Sequence, residues 1–185
     1  MRLAVTILAA TSVLALAGCG TSADNDPTPK SQAARDAAGD KTIASGFGRD
    51  DTKFAEAAKA SGLDATLAGP GPYTVLVPTN AAFDKLPAGT FDSLMKAEAR
   101  PKLTKLLTAH IMPGAILVAD IAKAIDTGKG KATLATFGGD TLTATKQGGQ
   151  IVLTDPAGAK ASIVASDEKR SNGVVQHLDG VLKPN

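Results

Sequence analysis

Apolar positions in this chain recur with one period up to Gly130 and with another after it. In the first part they fall at helical spacing. Asp51 or Thr52 can cap a helix whose apolar positions are Phe54, Ala57 and Ala58, and Ser61-Gly62 ends it. Residues 69–72, Gly-Pro-Gly-Pro, make a turn, and the apolar run 73–77 reads as a strand halted by Pro78. Thr79 or Asn80 then caps a short helix over 81–86, stopped by Pro87, and 90–94 reads as a further helical turn. Leu103, Leu106, Leu107 and His110 share one helix face, which Met112-Pro113-Gly114 breaks. Leu117, Ile121 and Ile125 form a second amphipathic run closed by Gly128. Beyond Gly130, short runs at 133–137, 141–145, 151–154, 161–165 and 173–182 are separated by Gly-Gly, Pro-Ala-Gly and Asn-Gly. Thr141, Thr143 and Thr145 alternate with Leu142 and Ala144, as in a half-buried strand. Helices first and antiparallel strands later predict an α+β domain.

The N-terminal segment follows neither pattern. Arg2 precedes an apolar stretch over 3–16 that ends in Leu16-Ala17-Gly18-Cys19. A basic head, a short apolar run and small residues at a cut site mark an export signal, too short for a membrane span of about 20 residues. Cys19 after Ala-Gly resembles the lipobox of bacterial lipoproteins. That resemblance implies removal of 1–18 and acylation of the Cys19 thiol and amine, a membrane anchor of several buried chains. Gly20, rather than an acidic residue, follows the cysteine; for a protein that resembles the lipoproteins, this implies sorting to the outer membrane. Residues 19–40, polar and small with two prolines, read as a flexible lipidated tether. The folded domain is expected over 41–185.

Composition narrows the function. Removing 1–18 leaves about 167 residues, enough for one core, and a formal charge near +1. Without a basic face or stripe, nucleic acid is not an expected partner. Cys19 is the only cysteine, so the domain holds no internal disulfide. Five Phe, one Tyr and no Trp leave few flat platforms for stacking on sugars. No Gly-x-Ser-x-Gly elbow, His-Glu-x-x-His helix or Gly-rich phosphate loop occurs. No enzyme activity, cofactor or metal is therefore expected, and Asp155-Pro156-Ala157-Gly158 reads as a turn.

Three blocks resemble the fasciclin domain. One is Tyr73-Thr74-Val75-Leu76-Val77-Pro78-Thr79-Asn80-Ala81-Ala82-Phe83-Asp84-Lys85-Leu86-Pro87. Another is Asn172-Gly173-Val174-Val175-Gln176-His177-Leu178-Asp179-Gly180-Val181-Leu182-Lys183-Pro184. Between them lies Leu106-Leu107-Thr108-Ala109-His110-Ile111-Met112-Pro113-Gly114. The resemblance implies one fasciclin-like domain: a wedge-shaped β-sandwich with helices packed around one side, the two outer blocks forming adjacent core strands. Thr79, Asn80, Phe83, Asn172, Gly173, His177, Asp179 and Gly180 are then structural signature residues. Alternation puts Val175, His177 and Asp179 on one strand face and Val174, Gln176 and Leu178 on the other, and Asp179-Gly180 suits a bulge returning Val181-Leu182 to the sheet.

His110, Asp120 and Ile121 are the candidate partner-binding residues. The family carries a Tyr-His pair at His110 that has been linked to adhesion; Ala109 stands here in place of the tyrosine. The other reading of His110 is a buried ring bonded to backbone or to a polar group such as Asn80. Animal matrix members carry an Asp-Ile pair implicated in integrin binding, matched by Asp120-Ile121; folding alone makes Asp120 an N-terminal helix residue and Ile121 core. The resulting expectation is a non-enzymatic, lipid-anchored protein of the bacterial cell envelope, periplasmic or surface-facing. Its partners would be the membrane, through its lipid, and a surface protein or polysaccharide in adhesion or matrix contact. The alternative is a carrier of a small apolar ligand such as a carotenoid, in a groove flanked by Ile111, Met112, Ile116 and Leu117.

Overall fold

The structure, a computed structural model, describes residues 41–184. The signal segment 1–18, Cys19 and the tether 19–40 lie outside the described residues.

A 3-10 turn, Arg49–Asp51, opens into α1 (Thr52–Ser61), followed by α2 (Asp64–Ala68) and β1 (Tyr73–Pro78). Then come α3 (Asn80–Asp84), α4 (Thr90–Leu94), α5 (Arg100–Thr108), β2 (Ile111–Pro113) and α6 (Val118–Thr127). The second half is β3 (Lys131–Ala135), β4 (Thr141–Gln147), β5 (Gln150–Thr154), β6 (Lys160–Arg170) and β7 (Gly173–Leu178). No helix among the described residues is long and apolar enough to cross a membrane.

Thr79 and Asn80 cap different helices. The Thr79 hydroxyl accepts the Ala82 N–H at 3.3 Å and starts α3. Asn80 reaches to the other helix start: its Oδ1 accepts the Lys53 N–H at 3.0 Å and its Nδ2 donates to the Arg49 carbonyl at 2.8 Å. The Lys53 amide in the first turn of α1 is thus satisfied by a residue 27 positions away, while Asp51 and Thr52, the expected caps, make no side-chain cap. Gly62, at φ 83°, ends α1 as expected.

The strands form one seven-stranded sheet in the order β2-β1-β7-β6-β5-β4-β3. β1 and β7 run parallel, from Tyr73 opposite Gly173 to Pro78 opposite Leu178, so the two outer blocks are adjacent strands. The other pairs are antiparallel. β6 belongs to two ladders. Ser162 and the residues before it pair with β5, whereas Ile163 to Arg170 pair with β7 through two register shifts. These shifts bend the sheet into two facing halves. Val75, Val77 and Val175 point to a core under the helices with Phe54, Phe83, Leu103 and Leu107. Leu76 and Leu178 point the other way, to a core shared with Leu134, Leu142, Leu153 and, from α6, Ile121 and Ile125. β1 is buried on both faces, which is why its sequence is continuously apolar rather than alternating. Most helices cover the first core and α6 packs into the second, against β3 and β4: two facing half-sheets with helices, an α+β fold. At one corner the Phe137 N–H donates to the Ile111 carbonyl at 2.8 Å, tying the β3–β4 turn back to β2.

Several elements differ from the sequence expectation, among them α2, a helix over Asp64–Ala68 where none was expected, and β3, which begins at Lys131 and ends at Ala135 rather than spanning 133–137. Ile111–Pro113 is an edge strand on β1, where only a helix break was expected, and Pro113 sits at its edge as proline must. β6 runs on to Arg170, well past 165, because its polar half pairs with β7. Val181 and Leu182 return to the core, at 7% and 0% exposure, without rejoining the sheet.

Asn172 fastens the chain entry to this frame. Its Oδ1 accepts the Ile43 N–H, and its Nδ2 donates to the carbonyls of Leu67 and Gly69, all at 2.8 Å. Asn172→Ala leaves these backbone groups without their partner and is expected to cost on the order of 3 kcal/mol. Urea unfolding of both proteins checks this; a loss below about 1 kcal/mol contradicts the fastening role.

Candidate functional site

His110 follows the last turn of α5 and is completely buried. Its Nδ1 lies 2.8 Å from the Leu106 carbonyl, and its Nε2 accepts the Leu182 N–H at 3.1 Å. Because Nε2 accepts, the ring proton sits on Nδ1 and donates to Leu106. Burial pushes the His110 pKa down to about 4, opposed by the Leu106 bond and by Asp155, so the ring is neutral near pH 7. The ring staples α5 to the C-terminal segment. Asp155 holds the same segment, its Oδ2 accepting the Lys183 N–H at 2.6 Å. The partners of His110 are backbone groups; Asn80 is engaged at α1 instead.

Of the other two candidates, Ile121 is core at 1% exposure and Asp120 is exposed. Asp120 Oδ2 accepts the Leu117 N–H at 3.1 Å, closing the first turn of α6, as a carboxylate at a helix start should. It also lines an open groove of about 590 Å³ between α6 and β3, with Lys123, Thr127 and Lys131. The three candidates therefore share no common surface. Ile111 and Met112, expected beside a ligand groove, are 3% and 0% exposed and fill the two cores, and Ile116 packs on the second.

The signature residues act as fasteners. Phe83 is buried edge-to-face against Phe91, centroids 5.1 Å apart. Asp179 Oδ1 accepts the Ser162 N–H at 2.6 Å, and its carbonyl accepts from Lys85 Nζ at 2.7 Å. A Cβ on Gly180 would lie 2.9 Å from the Lys160 carbonyl oxygen, so this approach to β6 needs glycine. His177 holds two carboxylates, with Nδ1 3.1 Å from Asp51 Oδ1 and Nε2 3.0 Å from Glu168 Oε2. Arg170 extends the network, donating to Glu168 Oε1 at 2.5 Å and to the Gly46 carbonyl at 2.6 Å. The Asp51 bond, aided by Glu168 and opposed by burial, raises the His177 pKa above the usual histidine value. For Asp51, burial works to raise the pKa, but His177 together with the Gly48 N–H and Arg170 outweighs it and the net direction is down.

Sequence alternation placed His177 on its face but gave no sign of Asp51 or Glu168. It also missed Asp167, at φ 58°, whose Oδ1 accepts from the Val118 N–H and from Gln176 Nε2, both at 2.8 Å. The signal available was Gln176 itself, a polar residue on an otherwise apolar buried face. Both His110 nitrogens are committed to the backbone, so that ring is not free to take a proton from a substrate. His177 Nε2 is hydrogen-bonded to Glu168, while its Nδ1 meets the buried Asp51 Oδ1 as an ion pair at 3.1 Å without hydrogen-bond geometry. Among the described residues, no group of three or more His, Cys, Asp or Glu is arranged to hold a metal.

The two histidines give stability opposite slopes with pH. His177 binds its proton more tightly folded than unfolded, so its contribution is full below pH 6.5 and is lost as pH rises through its raised pKa. His110 binds its proton less tightly folded, so stability falls as pH drops from 6.5 toward about 4. Melting temperature is expected to peak near pH 6.5, and His177→Gln should flatten the alkaline side alone. A wild-type profile without an alkaline decline contradicts this. At pH 7, His110→Ala should cost on the order of 1–3 kcal/mol, more than Asp120→Ala. Equal or reversed effects in thermal melts contradict the staple.

A fasciclin domain model matches residues 50–184. The chain is 37% identical over 128 residues to Protein sll1483 of Synechocystis, covering 69% of this chain and 64% of that one. It thus spans less than two thirds of that relative's length. A shorter stretch of 49 residues is 57% identical to the cell surface glycolipoprotein MPB83 of Mycobacterium bovis, covering 26% of this chain and 21% of that one. Among solved structures, a FAS1 domain pair from the insect cell adhesion molecule fasciclin I superposes with a TM-score of 0.65 at 19% identity, over 76% of this chain and 50% of that one. The match over 50–184, on a fold that places the two outer blocks side by side, makes this chain a member of the fasciclin-domain family.

Proposed function

We propose that this protein is a non-enzymatic adhesion domain held by lipid at the bacterial envelope, contacting a surface protein or polysaccharide. The observation that carries this is the pairing of a fasciclin domain over 50–184 with Cys19 in a lipobox-like context. Relatives support each half: one is described as a cell surface glycolipoprotein, and a structural neighbour comes from a cell adhesion molecule. The occupied His110 ring described above favours binding over catalysis. Anchoring at the outer membrane follows the Gly20 argument.

In this account the buried and half-buried signature residues hold the shape, and contact falls to exposed surface such as the groove bearing Asp120, Lys123 and Lys131. The test is a deletion strain complemented with the wild type or with Cys19→Ala. Surface attachment and cell aggregation should fall in the deletion strain and return only with the wild type. Normal attachment in the deletion strain, or full rescue by Cys19→Ala, contradicts anchored adhesion.

A further inference from the structure

The point where the chain enters the domain and its most exposed aromatic residue lie at the same end. The Ser171 N–H donates to the Lys41 carbonyl at 3.0 Å, and Asn172 holds Ile43, so the chain enters beside the β6–β7 turn. The Tyr73 N–H donates to the Asn172 carbonyl at 3.1 Å, placing the start of β1 at this same turn. Tyr73 stands opposite Pro113 in β2, and its ring meets Phe137 edge-to-face with centroids 5.9 Å apart. Phe137 is 52% exposed, and Pro72 and Pro113 beside it are exposed too. Lys41 and Lys169, also exposed, flank the turn. The other large exposed apolar residue among the described residues, Val164, lies toward the far end of β7, next to Ile163, which pairs with Leu178.

We infer that the rim of Pro72, Tyr73, Pro113 and Phe137 is a membrane-facing end that rests on the bilayer interface beside the lipid anchor. This inference rests on the proposed acylation of Cys19. An exposed Phe against a Tyr suits the boundary between headgroups and acyl chains, where an aromatic body meets an apolar layer and its polar tip stays wet. The two lysines match the negative headgroups of anionic lipids. The rim is too small to hold a free protein on a membrane. A tether changes that requirement. Cys19 is 22 positions before Lys41, and a linker of that order gives a local concentration in the millimolar range, so a weak contact suffices. The contact would turn the opposite end of the domain, with Val164, toward solvent and partners.

The sequence supplies two probes. It contains no Trp, and Cys19 is its only cysteine. The chain from Cys19 onward, which contains the whole described domain, is coupled through its thiol to a maleimide lipid in phosphatidylethanolamine–phosphatidylglycerol vesicles. Coupling replaces cellular acylation, so failure of the lipoprotein reading, seen separately as a native protein without acyl mass, is distinct from failure of the docking. Phe137→Trp and Val164→Trp are compared using brominated acyl chains. Emission at 137 should be quenched at least about twofold more than at 164. Equal quenching at both positions, or none at 137, overturns the inference. Hydrogen exchange of the unsubstituted coupled protein gives a second reading independent of the variants. Amides near Tyr73 and Phe137 should gain protection relative to uncoupled protein, and unchanged exchange there overturns the inference.

Discussion

The parallel ladder between β1 and β7 is the constraint on which the rest of the domain depends. It joins two segments far apart in sequence, Tyr73 lying opposite Gly173, and parallel strands need a long crossover between them. Here the crossover runs through every element from α3 to β6. The backbones meet very closely where the ladder starts. A Cβ on Gly173 would lie 2.0 Å from the Tyr73 carbonyl oxygen, and one on Gly71 would lie 2.0 Å from that of Asn172. Only glycine allows either approach. Once paired, the ladder offers Val75, Val77 and Val175 to one core and Leu76 and Leu178 to the other. Both cores are built on the same strands, so neither is independent of the pairing.

A ladder closed over so long a loop is costly in chain entropy. The buried polar side chains make sense as fasteners of the segments that it gathers. Asn172 ties down the chain entry, His110 ties α5 to the C-terminal segment, and Asp179 ties the end of β7 to β6. The network of Asp51, His177, Glu168 and Arg170 joins the start of α1 and Gly46 to the central strands. Residues that mark the family by sequence are thus mostly buried bonds or close backbone approaches, and the face that meets a partner is free to differ.

Sequence reading recovered what local patterns encode. The helical spacing of Leu103, Leu106 and Leu107 and the alternation at Leu142 and Ala144 each correspond to an observed element, with His110 just beyond the helix end. It failed where long-range pairing decides. Ile111–Pro113 has no strand signature and is a strand because β1 lies beside it. The polar run at the end of β6 resembles a loop, yet its register shifts bring Glu168 to His177. Asn80 looks like the cap of the helix that it begins, and it caps α1 instead. For the candidate site, the apolar helix faces already carried the buried reading of His110 and the core reading of Ile121, and both residues are enclosed in the structure. What the sequence did not carry is which distant backbone group His110 bonds, since the Leu182 N–H is brought to it only by the fold.

The functional account joins this fold to an anchor. The entry of the chain, the Tyr73–Phe137 rim and the β6–β7 turn lie together, so a lipid at Cys19 would set the orientation of the whole domain. The measurement that tests the account most directly is the intact mass of the native protein extracted from bacterial membranes, with fragmentation of its N-terminal peptide. The account predicts a chain that begins at Cys19 and carries acyl groups on both thiol and amine. A chain that retains residues 1–18, or one that begins elsewhere with an unmodified Cys19, contradicts it.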